Sequence, residues 1–168
     1  MKIIFSALFI FLSATVMAQK AKAVTNEELK ALVGNWGGSM VATGFTDGKS
    51  QLSFSTALEI VDMKDSLLFN FTYTDAEGKQ STDKCTMRIY EDGNRLSFDS
   101  AQFDIVETRR RGVRVTMYAE REGHDNYRPA EYQYIFIFGP GILNITKGIR
   151  YADMVDYSIL KRSALTKK

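Results

Sequence analysis

The chain has little with which to do thiol or metal chemistry. Its 168 residues include one cysteine, Cys85, and one histidine, His124. A lone cysteine rules out an internal disulfide, and a lone histidine removes most metal-ligand sets and the usual base for an activated nucleophile. Two prolines and twelve glycines exclude collagenous and proline-rich chains. Charge of one sign is missing too: 22 Lys and Arg against 20 Asp and Glu leave +2. Such a balance sets up no field to recruit nucleic acid or anionic lipid. What is present is ordinary globular material, 45% hydrophobic, at a one-domain length. No metal and no cofactor is expected.

The only sustained apolar run is at the start. Lys2 precedes residues 3–11, and Val16, Met17 and Ala18 lead to Gln19. A short positive region, a short apolar stretch and a small residue at the cut make residues 1–18 a signal peptide. No cysteine follows, so a lipoprotein anchor is not expected, nor is any other stable membrane anchor. The expected product is periplasmic or secreted from a bacterium, and losing Lys2 brings its formal charge from +2 to about +1. Residues 19–24 read as a disordered lead-in, 25–162 as the folded domain, and 163–168 as a basic tail.

Thr25, Asn26, Glu27 and Glu28 form a capping box for one short helix. Leu29, Leu32 and Val33 supply its apolar side, and Gly34 stops it. Beyond Gly34 the period becomes two. Leu52, Phe54, Thr56, Leu58 and Ile60 alternate with polar neighbours, as do Leu67, Phe69, Phe71 and Tyr73. Asp83, Cys85, Met87 and Ile89 follow, then Val113, Val115, Met117 and Ala119, then Tyr132, Tyr134, Phe136 and Phe138, then Val155, Tyr157 and Ile159. One wet and one dry face per strand is the mark of antiparallel sheet. Turn residues at Asp47-Gly48, Lys64-Asp65, Glu77-Gly78, Asp92-Gly93, Arg111-Gly112 and Gly139-Pro140-Gly141 separate the strands. Residues 121–130 form the longest connection. Short connections favour an up-and-down antiparallel β-barrel of eight to ten strands with one short N-terminal helix, over a sandwich.

Gly34-Asn35-Trp36 opens the first strand directly after the helix. This start resembles that of lipocalin-like (calycin) barrels. The longer run Gly34-Asn35-Trp36-Gly37-Gly38 also resembles nitrobindin-like barrels. The resemblance implies that Trp36 packs at the closed end beneath a basic side chain from the end of the chain. Arg162 or Lys161 is the expected partner, with Gly34 and Trp36 as structural residues. Nitrobindin-like barrels hold haem through a histidine near the C-terminus. This chain has none there, and His124 lies in a polar hairpin tip.

No Gly-x-Ser-x-Gly elbow, phosphate loop or zinc spacing occurs, so the protein is not expected to be an enzyme. Asp83 is the one acidic residue whose parity sets it on an apolar face, explicable by a strand-end hydrogen bond or a register shift. Cys85 reads as a core thiol, and Arg109, Arg110 and Arg111 as a solvated turn. The lumen face is expected to carry Phe54, Phe69, Phe71, Tyr73, Met87, Phe98, Met117, Tyr134, Phe136 and Tyr157. Rings with a few hydroxyls suit a small hydrophobic ligand anchored by one or two hydrogen bonds. The first expectation is therefore a non-catalytic carrier or sensor. The alternative is an envelope interaction module or homodimer on a filled barrel, motivated by outward Tyr90, Tyr118, Ile135 and Ile137. A hydrolase or isomerase using Asp83 and a lumen tyrosine stands third.

Overall fold

A computed structural model describes residues 23–43, 50–90 and 93–168. The expected signal peptide, the lead-in up to residue 22 and the Asp47-Gly48 turn lie outside those residues. Helix α1 (Asn26–Lys30) begins at the expected capping box, with Glu28 N donating to Thr25 Oγ1 at 3.2 Å and Thr25 N to the Glu28 carboxylate at 2.8 Å. Ten strands follow: β1 (Gly34–Thr43), β2 (Gln51–Asp62), β3 (Leu67–Thr74), β4 (Gln80–Tyr90) and β5 (Arg95–Phe98) make the first half. The second half is β6 (Ala101–Arg111), β7 (Arg114–Asp125), β8 (Arg128–Gly139), β9 (Ile142–Tyr151) and β10 (Ser158–Lys167). Each pairs antiparallel with its sequence neighbour, and β1 pairs with β10 to close the barrel. The fold is an all-β, up-and-down barrel.

Closure depends on a close approach. A Cβ on Gly38 would lie 2.0 Å from the Ala164 carbonyl oxygen, so the β1–β10 seam admits only glycine there. Turn chemistry follows the residues that tolerate positive φ, such as Gly112 at +61° and Gly141 at +75°. Two reversals had weaker signals. Asp99 and Ser100 (φ 52° and 59°) turn β5 into β6, and Asn126 and Tyr127 (48° and 67°) turn β7 into β8. Positive φ at both central residues is the tight-hairpin geometry that matches strand twist. The expected ten-residue connection at 121–130 is therefore mostly strand, with a two-residue turn.

The core is one cluster along the barrel axis. Helix α1 closes one end, where Leu29, Leu32 and Val24 are buried with Trp36. Trp36 is 1% exposed and donates its indole N–H to the Leu32 carbonyl at 2.8 Å. The basic side chain above it is Lys167, 5.5 Å from the ring, which also donates to the Ala31 carbonyl. Arg162 is exposed on the outer face opposite Val41, and Lys161 lies farther along the strand, so neither takes the expected place. The reason is length: β10 runs on through 163–167, and Lys167 is the register partner of Trp36. That stretch is a closing strand rather than a basic tail, with Ser163 and Leu165 buried.

Two further expectations change. Val24, assigned to a disordered lead-in, is 5% exposed in the core. Arg110 leaves the solvated turn: its guanidinium donates to Glu28 at 2.7 Å and to the Ala23 carbonyl, clamping α1 to the barrel end. Arg109 remains exposed and pairs with Glu107.

Candidate functional site

Ring packing fills the middle of the barrel. Phe98 makes edge-to-face contacts with Phe69, Tyr134 and Phe136 at 5.1–5.5 Å between centroids. Phe69, Met87, Met117 and Phe136 are at most 1% exposed. These four belong to the filled interior, and the lumen is not lined by free surface along its whole length. The remaining inward rings lie nearer the mouth, meaning the end away from α1. Phe71 and Tyr73 stack at 5.6 Å, and Phe54 meets Tyr73 edge-on at 6.3 Å.

Tyr157 is not in the lumen. It precedes β10, packs its Cβ against the outward Gly148, and donates its hydroxyl to Glu131 on the outer face. A register shift between Ile159 and Lys161 is the cause. It inserts a residue, so alternation read back from the strand assigns Tyr157 and Ile159 to the wrong face. Ile159 instead lies opposite Gly148.

On the regular side of that shift, Lys161 shares the inward face of Ser163 and Leu165 and lies at the mouth. Its ammonium donates to the Tyr73 hydroxyl at 2.7 Å and lies 4.6 Å and 5.4 Å from the Tyr73 and Phe71 ring centroids. Lys161 is opposite Lys147 on β9, and Lys147 is opposite Tyr134 on β8. The Asp99 carboxylate reaches in from the β5–β6 turn, accepting from Lys147 and from the Tyr134 hydroxyl, each at 2.7 Å. Alternation alone could have flagged Lys147, but sequence reading missed it. Asp99 needed knowledge that β5 is only four residues long, which sets its turn partway down the wall.

The short β5–β6 hairpin leaves a notch. β4 pairs with β5 only through Arg88, Ile89 and Tyr90, so residues 80–87 have a ladder partner on the β3 side alone. Asp83 projects from this edge and is exposed at the mouth. An inward-facing charge on an unpaired edge discourages another strand from docking there, which accounts for its parity without catalysis.

Burial and charge set the protonation states. Burial, reinforced by Asp83, pushes the Cys85 thiol up to about 12, so it is neutral and unreactive. Tyr73 is raised by burial and then by Asp83, and Tyr134 by burial and its bond to Asp99, so both hydroxyls keep their protons. Burial pulls Lys161 below its ordinary value, with Asp83 and Asp99 partly opposing it. Burial pushes Asp99 the other way, but Lys147 and Tyr134 together hold it below the usual carboxylate range.

Other surfaces offer less. A surface cleft of about 670 Å³ at the β7–β9 rim includes Gly123, Ala130, Tyr151 and Met154, but its Glu131 and Arg150 already pair with each other. No group of three metal-ligating side chains occurs among the described residues. No family model matches the chain, and no curated protein matches it.

Proposed function

We propose that this protein is a non-catalytic carrier or sensor that takes a small, mainly hydrophobic ligand at the mouth of the barrel. The observation that carries the reading is Lys161. It is half-buried over two aromatic rings, hydrogen-bonded to one neutral hydroxyl, and has no carboxylate within ion-pair distance among the described residues. A desolvated ammonium with unused donors is costly to maintain unless something completes it. The half-buried Phe54 offers apolar contact at the mouth, backed by the nearly buried Phe71 and Tyr73, with Phe98 and Tyr134 beneath. The barrel architecture and the Gly34-Asn35-Trp36 start support a lipocalin-like scaffold, and the N-terminal residues 1–18 support export to the periplasm or medium.

The interaction-module reading has weaker support. Ile135 and Ile137 are half-buried on the outer face, flanked by Tyr118, Thr116, Thr146 and Asn144. The most exposed apolar side chains, Val113, Tyr127 and Val155, sit at separate turns rather than on one patch. Native mass spectrometry of protein purified from its own host tests the carrier. A retained small molecule, lost on Lys161→Met, is the expected result. A bare chain that also gives no tyrosine fluorescence change across a panel of apolar compounds would overturn it.

A further inference from the structure

We infer that the ligand's polar end is a carboxylate, held by Lys161 and the Tyr73 hydroxyl. The inference deepens the carrier reading and rests on it. The mouth contains the same donor pair twice. Lys147 and Tyr134 form the first, and both donate at 2.7 Å to a carboxylate, that of Asp99. Lys161 and Tyr73 form the second, 2.7 Å apart, with no carboxylate bonded to either among the described residues. Because Lys161 donates to the Tyr73 oxygen, the phenolic proton stays available, as do the remaining ammonium hydrogens. A lysine and a tyrosine aimed at one acceptor are already shown, at Asp99, to suit a carboxylate in this setting.

Charge placement points the same way. Lys147 and Lys161 are direct cross-strand partners on the inward face. Like charges opposite each other destabilise a sheet, and the one carboxylate bonded to this pair among the described residues, Asp99, is bonded to Lys147, while Asp83 and Asp99 act on Lys161 only through space. A second carboxylate on Lys161 would relieve the repulsion and complete the set. The half-buried Phe54 then meets the hydrophobic body, with the nearly buried Phe71 and Tyr73 rings behind it. The ligand class is an organic acid with an apolar, aromatic or short-chain body.

The test is calorimetric titration of the full mature chain with 4-phenylbutanoate, its alcohol 4-phenyl-1-butanol and its methyl ester. A charge-assisted bond is about twice as strong as a neutral one, so the acid should bind wild type at least about ten-fold more tightly than the alcohol. Lys161→Met should abolish that preference while leaving alcohol binding within about two-fold, since the aromatic contacts remain. Lys161→Arg should keep the preference, and Lys161→Gln stands in if the methionine variant does not fold. Equal binding of acid and alcohol by wild type would overturn the carboxylate assignment and leave the carrier reading standing. A preference that survives Lys161→Met and Lys161→Gln would also overturn it. Binding of none of the three compounds would count against the carrier itself.

Discussion

Arg110 joins two parts of the molecule that are far apart in sequence. Its bond to Glu28 holds the Glu28 carboxyl down at about 2, from an ordinary 4.5, with the Arg110 hydrogen bond the largest cause. The folded-state value is the lower one, so the unfolded chain binds more protons between the two. The stabilisation is complete above pH 4.5 and disappears as pH falls toward 2. At neutral pH it is on the order of 2 kcal/mol. Arg110→Met should therefore lower stability at pH 7 by about that amount and flatten the acid limb of the denaturation profile, measured by urea titration. Lys161 has the opposite sign. Its folded value lies below the ordinary one, so holding it charged in the folded state costs stability at neutral pH. Lys161→Met should raise the urea midpoint, and a fall would mean that its Tyr73 bond outweighs the burial cost. Cys85, pushed up to about 12, should resist iodoacetamide in the native protein at pH 8 and react promptly in urea. Trp36 sits at the helix-capped end, so ligand binding at the mouth should change tyrosine emission and leave indole emission steady.

The seam between β1 and β10 and the bulge in β10 show how single positions act through whole strands. Gly38→Ala would drive a Cβ into the Ala164 carbonyl, a rigid backbone atom, whereas at Gly37 the nearest obstacle is the flexible Lys168 side chain. Gly38→Ala should cost about 2–3 kcal/mol or prevent folding, and Gly37→Ala less than about 1, compared by thermal melts. Alternation made most strands legible: Leu67, Phe69, Phe71 and Tyr73 all face inward as their spacing predicts. It failed at β10 for a definite reason. A bulge is a local insertion that leaves no mark in hydrophobic periodicity, so unbroken alternation puts Tyr157 on the same inward face as Lys161, which the structure does not. The 121–130 segment misled differently. The apolar alternation stops at Ala119 and resumes at Tyr132, yet cross-strand pairing carries the residues between them through to the Asn126-Tyr127 turn.

At the scale of the barrel, packing divides function from support. Phe98 lies at the centre of three edge-to-face contacts, and Phe98→Ala should cost about 3–5 kcal/mol in chemical denaturation, independent of ligand. Removing residues 163–168 should be worse than any of these substitutions. It takes away the buried Ser163 and Leu165 and much of the β1–β10 ladder, opening the sheet to leave two unpaired edges. A truncated chain that still gave a cooperative melt near wild type would show that the seam is dispensable.

Local chemistry along the chain settles the capping box, the Gly-rich turns, the two-residue period and hence an antiparallel meander, because each of these depends only on near neighbours. The candidate site depends on something else. Lys161, Tyr73, Lys147, Tyr134 and Asp99 come from β10, β3, β9, β8 and the β5–β6 turn, and barrel closure with a bulge and one short hairpin is what brings them together. Which aromatic rings are filler and which face a ligand is likewise a matter of axial depth. Parity along a strand reports the face of a residue but not its height in the barrel, and height is set by register and strand length across the whole sheet.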